Sequence, residues 1–374
     1  MTIPSAFDSI RPYEPEELPQ VFEKLLADEQ FQQVLHFLYP GVPLETIAET
    51  TRQCKSNLDF QKTFCYHFLK ELLDKVSTGC DMNTQHIDTT RRYTFVSNHR
   101  DIVLDSALLD VLLFDAGFDT TCEIAIGDNL LAAPWIKDLV RVNKSFIVER
   151  SLGMREMLIA SKRLGEYMHF VIGQKNDNIW IAQREGRAKD SDDRTQPAIL
   201  KMMAMGGEGS NIERLKQLHI VPLSISYEYD PCDYLKAQEF QLRRDIADWK
   251  KSKDDDLLSM KTGILGYKGR IHYHCAPCID KWLDTLSPDI PKTEVFDVIA
   301  AHIDEEIHRN YRIYPINRVA AGAEHTAEEQ ADFDRYLDGQ LAKIQLPHPD
   351  WDFLRATIIN MYANPYRNYV QATH

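Results

Sequence analysis

Long apolar runs are missing from this 374-residue sequence. A membrane-spanning helix needs roughly 18 consecutive apolar residues, and the richest stretch, ALLDVLLFDAGF at 107–118, is interrupted by Asp110 and Asp115. The opening segment, MTIPSAFDSIRPYEPEELP, has neither a basic start nor an apolar stretch, so it does not read as a secretory signal. Cysteine is sparse as well. Seven residues, an odd number without dense spacing, suit reduced thiols and a cytoplasmic protein. A net charge of −14 argues against a surface that binds nucleic acid. No internal repeat or low-complexity tract is present.

What is present is enough apolar material for a core, 44% of the chain, and a charge distribution that is not uniform. Residues 141–189 hold ten Lys/Arg against five Asp/Glu, a net of +5, which leaves −19 elsewhere. A basic island in an acidic protein suits a small anionic ligand. Helical periodicity marks 16–38 and 57–76, separated by the loop residues YPGVP. Short β-branched and aromatic runs then alternate with helical stretches: strands are expected at Arg92–Val96, Thr120–Ile126, Ile179–Ala182, Ile220–Tyr229 and Arg270–Tyr273. Helices are expected at Ser106–Phe114, Leu130–Val140 and Arg155–Tyr167, and KKSKDDDL at 250–257 reads as a charged loop or helix end. The expectation is an α/β fold: a mixed, largely parallel sheet with flanking helices over 86–285, an N-terminal helical region over 1–85 and a C-terminal one over 286–374.

The stretch FVSNHRDIVLD, 95–105, ends an apolar strand on a histidine beside two acids. A polar turn leading to an aspartate-capped helix would look like this. So would a general base and its orienting carboxylate. Three further stretches follow it: FIVER at 146–150, REGRAK at 184–189 and IVPLSIS at 220–226. In this order and spacing they resemble the four motif blocks of the glycerolipid acyltransferases, the glycerol-3-phosphate and 1-acyl-glycerol-3-phosphate O-acyltransferases. Asn98 and His99 match the Asn-His opening of the first block, Arg150 ends the second, Glu185, Gly186, Arg187 and Lys189 fall in the third, and Pro222 in the fourth. The resemblance spans about 90–280. Two departures stand out. The family spaces its histidine and aspartate by four residues, whereas five separate His99 from Asp105 here, and the third block is one residue shorter than Glu-Gly-x-Arg.

The resemblance implies transfer of a fatty acyl group from an acyl thioester, on coenzyme A or an acyl-carrier protein, to the hydroxyl of a phosphorylated glycerol or lysolipid. The chemistry needs a base because an alcohol is a poor nucleophile at neutral pH. Neutral His99 supplies one, worth about 10²–10⁴-fold. Asp105 or Asp101 would orient it, and Asp105 is preferred because a slightly longer loop can keep the geometry. Asn98, Arg150, Glu185, Gly186, Arg187, Lys189 and Pro222 are the candidate substrate-binding residues, with the guanidinium groups suited to phosphate. No cofactor is implied. Alternatives are an aminolipid acceptor and a catalytically silent lipid-binding homologue. The HYHCAPC stretch (His272, His274, Cys275, Cys278) offers a Cys-x2-Cys with nearby histidines, but His272 and His274 share a strand face that Cys275 does not, and no second pair follows, so the expectation is structural, with no metal. A lipid product implies transient contact with a membrane surface from one side.

Overall fold

The computed structural model describes residues 3–131, 133–150 and 152–374, with the side chain of Lys253 excepted. Ala132, within the expected helix Leu130–Val140, lies outside the described residues. Seven strands form one sheet: β1 (Gly79–Asn83), β2 (Thr94–Ser97), β3 (Cys122–Gly127), β4 (Ser145–Val148), β5 (Asn178–Ala182), β6 (Ile220–Tyr227) and β7 (Arg270–Cys275). Their order is β1-β7-β6-β2-β5-β3-β4. From β6 to β4 every pairing is parallel; β7 runs antiparallel to β6 and carries β1 alongside it in parallel. The expected mixed, largely parallel sheet is the observed one.

β2 and β6 are buried along their whole length, as parallel strands covered on both faces must be. Alternate residues feed two different cores. Phe95, Trp180, Val221, Leu223 and Tyr273 pack beneath the helices His67–Val76 and Leu104–Asp115. Val96, Ile147, Ile179, Ile181 and Ile220 pack beneath Met154–Phe170, Pro197–Met203 and Val295–Arg309. The N-terminal helices Leu18–Leu26, Glu29–Leu38 and Leu44–Gln53 bury a third cluster against Val142, and Pro315–Ala320, Ala327–Leu341 and Trp351–Thr373 bury a fourth against Ala237.

The observed elements depart from expectation in three places. The periodic stretch 16–38 is two helices, because Asp28 leaves the helical conformation and caps the second one, accepting from the N–H groups of Gln30 and Phe31. Strand β1 lies inside the segment read as helical, so the sheet reaches back to Gly79. As an edge strand with half its side chains exposed it lacks an apolar run that could be read. Strand β4, only four residues long, also had no expected counterpart. In addition, the helix Val295–Arg309 packs directly on the sheet and is part of its core.

Helix Leu104–Asp115 is buried nearly all round, and its Asp110 is buried with it. Asp110 accepts from the Cys122 N–H and from Gln61 Nε2, tying the helix to β3 and to the N-terminal region. Burial pushes its carboxyl up to about 7. A carboxyl raised in the folded state stabilises fully below its ordinary value near 4, and that stability is lost as pH rises through about 7. From pH 5 to 8 this group should cost about 2–3 kcal/mol, at roughly 1.4 kcal/mol per unit. Urea unfolding should therefore show a steeper loss of stability over that range for the native protein than for Asp110→Asn; parallel losses would contradict the assignment.

Candidate active site

The five parallel strands β6 to β4 end on the same edge of the sheet, the edge where open α/β sheets bind ligands. His99 lies two residues beyond β2, in the middle of that edge. The loop then enters helix Leu104–Asp115, whose first turn carries Asp105. Oδ2 of Asp105 accepts from His99 Nδ1 at 2.8 Å and from the backbone N–H groups of Arg100 at 2.5 Å and Asp101 at 3.1 Å. Asp105 is fully buried and the His99 side chain is 13% exposed. With Nδ1–H donating to a carboxylate, the neutral imidazole presents Nε2 as an acceptor, the tautomer a general base requires. The edge of the ring meets Trp180 at 5.6 Å, and Trp180 itself donates to Ser97 Oγ.

Asp101 does something else. Its Oδ1 accepts from the Val103 and Leu104 N–H groups, so it caps the helix. Burial, and next the charge of Asp105, push its carboxyl up. Asn98 extends the β2–β6 ladder with its side chain, donating to the Ile225 carbonyl and accepting from the Ile225 N–H. Each half of its amide makes one bond to the strand, and it is fully buried, so it positions the following histidine and is shielded from a substrate. Arg100 turns to the opposite side and forms a buried ion pair with Asp193 at 2.6 Å. Tyr311 donates to the same carboxylate, and its ring lies under the guanidinium.

The remaining motif residues are spread along the same edge. Arg150 follows β4 and lies flat against Gly127, where any Cβ would come within 2.8 Å of its guanidinium carbon. Its Nη1 is 3.6 Å from Glu185. Both side chains line a cleft of about 230 Å³ whose deeper walls are apolar, including Ile147, Leu164, Ile181 and Met202. Gly186 follows Glu185 with φ +68°, a conformation glycine adopts without strain. On either side of this turn stand Arg184 and Arg187, and neither has an ion-pair or hydrogen-bond partner among the described residues. Arg187 lies close enough to Asp101 and Asp230 to lower both carboxyls, although burial is the larger influence on each. Lys189 is instead taken up by Glu239, which Arg243 also engages. Pro222 is buried inside β6 opposite Val96, just past the end of β7, where its missing N–H leaves no ladder bond broken. It shapes the strand and does not line the cleft beside Arg150.

The HYHCAPC residues do not converge. Cys275 is buried in the core, His272 pairs with Asp81, and burial pushes His274 down to about 4. Cys278 joins His219 and Asp280, with ligand atoms within 4.8 Å of one another. His219 precedes β6 while Cys278 and Asp280 follow the antiparallel β7, which puts the group at the opposite edge of the sheet from His99.

Sequence reasoning missed Trp180, Arg184, Asp193 and the fully buried Lys268, whose ammonium donates to the Ile264 and Gly266 carbonyls. Burial pushes Lys268 down, against the nearby charges of Asp101 and Asp105. The geometry separates the roles of the two aspartates. Asp105→Asn should lower turnover by on the order of 10²–10⁴-fold with little change in unfolding midpoint. Asp101→Ala should cost about 1 kcal/mol of stability, the worth of a cap, and Asp101→Asn almost nothing. Larger kinetic losses for Asp101→Asn than for Asp105→Asn would reverse the assignment.

Comparison with known proteins places this geometry. Residues 80–226 match the Acyltransferase family model. No curated protein matches the chain. Among solved structures there is similarity to PlsC, the 1-acyl-sn-glycerophosphate (LPA) acyltransferase of Thermotoga maritima, at 12% identity and a TM-score of 0.39, covering 78% of this chain and 95% of that one. The matched segment runs from β1 to β6 and contains all four of the stretches that resemble the glycerolipid acyltransferases.

Proposed function

We propose that the protein transfers a fatty acyl group from an acyl thioester, acyl-CoA or acyl-carrier protein, to the hydroxyl of glycerol-3-phosphate or a lysophospholipid. The observation that carries this reading is the His99–Asp105 pair at the carboxyl edge of the sheet, inside the matched segment. Nε2 of His99 takes the acceptor's proton as its oxygen attacks the thioester carbonyl. Asp105 holds the tautomer and stabilises the imidazolium. Collapse of the tetrahedral intermediate expels the thiolate, which leaves as a thiol with the proton from His99. The ester is formed without an acyl-enzyme, since the donor is already activated.

Arg184 and Arg187 are the groups best suited to an acceptor phosphate. Their guanidinium N–H groups make no ion pair or hydrogen bond with a carboxylate among the described residues, so they are available to an anion, although Arg187 also feels the nearby Asp101 and Asp230. Arg150 would join them by releasing its loose contact with Glu185. The apolar cleft beside Arg150 suits an acyl chain. A silent lipid-binding homologue is disfavoured by the intact His–Asp hydrogen bond, which such a protein would have no need to keep.

The direct test is turnover of a labelled acyl thioester with glycerol-3-phosphate, lysophosphatidate and an unphosphorylated aminolipid. His99→Ala should retain less than about a hundredth of native turnover, and retention of a tenth or more would sink the base assignment. Arg187→Ala should raise the KM of a phosphorylated acceptor roughly 10–150-fold, corresponding to about 1.5–3 kcal/mol for a charge-assisted contact, with the donor KM nearly unchanged. Equal losses on acceptors with and without phosphate would remove the clamp and favour the aminolipid.

A further inference from the structure

Helix Met154–Phe170 gives one side to the apolar cleft, through Met157, Ala160, Ser161 and Leu164. The other side of its first two turns is uncovered. Met154 is 94% exposed, and Leu158 and Ile159 are each 60% exposed. Single exposed apolar residues are ordinary, but three large ones on adjacent turns form a patch that needs a partner. Met154 and Leu158 are one turn apart and share a face, and Ile159 stands about 100° further round, beyond Arg155 and Lys162.

We propose that this face is the surface by which the protein docks on an anionic phospholipid bilayer; the inference rests on the lipid-acylating function proposed above and names where that lipid enters and leaves. The charge around the patch selects the partner. Arg155 is exposed, Lys162 is 66% exposed and lies 3.7 Å from the half-exposed Glu166, and Arg163 is held by Glu149. Glu156 is the sole acid between 154 and 163, within a chain of net charge −14. Apolar side chains flanked by cations match the boundary between acyl chains and anionic headgroups. The same helix walls the cleft, so the exposed surface and the cleft share one element. A second exposed apolar group, Leu257, Leu258 and Leu265, lies on a helix that contributes no residue to the cleft, and its first turn holds Asp254, Asp255 and Asp256 beside Lys250 and Lys251.

The test is sedimentation of the full chain with vesicles of phosphatidylcholine containing phosphatidylglycerol, and with phosphatidylcholine alone. The native protein should bind the anionic vesicles. The combined Met154→Ser, Leu158→Ser and Ile159→Ser variant should weaken that binding at least about 100-fold, on the order of a decade for each large apolar side chain kept in water. Arg155→Gln with Lys162→Gln should weaken it about 25-fold on anionic vesicles, near fivefold per cation, and leave neutral vesicles unaffected. Leu257→Ser with Leu258→Ser should bind as the native protein does. The apolar variant should keep its urea midpoint and its turnover of glycerol-3-phosphate with a water-soluble short-chain thioester, because its substituted side chains touch neither core nor cleft. Failure of the native protein to bind anionic vesicles, or native-like binding by the apolar variant, would overturn the proposal. Turnover and docking read separately: a protein that docks through this face yet transfers no acyl group would refute the function and leave the surface standing.

Discussion

One oxygen of one buried carboxylate, Oδ2 of Asp105, accepts from a histidine ring and from two consecutive backbone N–H groups. Everything at the site depends on that convergence. The two backbone bonds fold residues 99–101 back on the start of helix Leu104–Asp115, and the third points His99 along the resulting loop. Asp105 also stands in the first turn of that helix. Tyr273 of β7 donates to the Asp105 carbonyl and anchors the same residue from the other side. An extra residue in the loop is accommodated because Asp101 turns its own side chain inward as the cap. The chain thereby keeps a His–Asp hydrogen bond at a spacing that the family pattern does not have.

The histidine loop is held from outside the matched segment as well. Arg100 is pinned by Asp193, and Asp193 is held by Tyr311 and by His308, which donates through Nε2 to its carbonyl. Asp304 accepts from both the N–H and the hydroxyl of Thr195 in the same loop. Helix Val295–Arg309 and the residues just after it therefore brace the loop that braces His99. Breaking a buried ion pair of this kind typically costs about 3–5 kcal/mol because one charge is left without a partner. The segment that matches the family model is thus completed by helices that follow it.

The sheet was legible where its strands are interior. β2, β5 and β6 are covered on both faces and read as apolar β-branched runs, while the edge strand β1 and the four-residue β4 left no such pattern. The site was legible in part. His99 and Asp105 could be proposed because their chemistry requires both residue types close in sequence, and the spacing left two candidate carboxylates that only the loop geometry separates. Arg184 was overlooked for the same reason that Lys189 was overvalued. Whether a cation is free depends on carboxylates distant in sequence, and Glu239, fifty residues on, takes Lys189 while nothing among the described residues takes Arg184. Asn98 and Pro222 fall in motif blocks, yet they serve the strand that positions the site. Asp193 and Lys268 had no local signature at all, since their roles come from burial against elements far along the chain.

In the proposed mechanism His99 activates the acceptor hydroxyl directly and no enzyme nucleophile carries the acyl group. Following free thiol release from an acyl thioester in single turnover, with and without glycerol-3-phosphate, addresses it directly. Release that requires the acceptor, with no burst in its absence, is the expected result. A burst approaching one thiol per protein without acceptor would reveal an acyl-enzyme and contradict the mechanism.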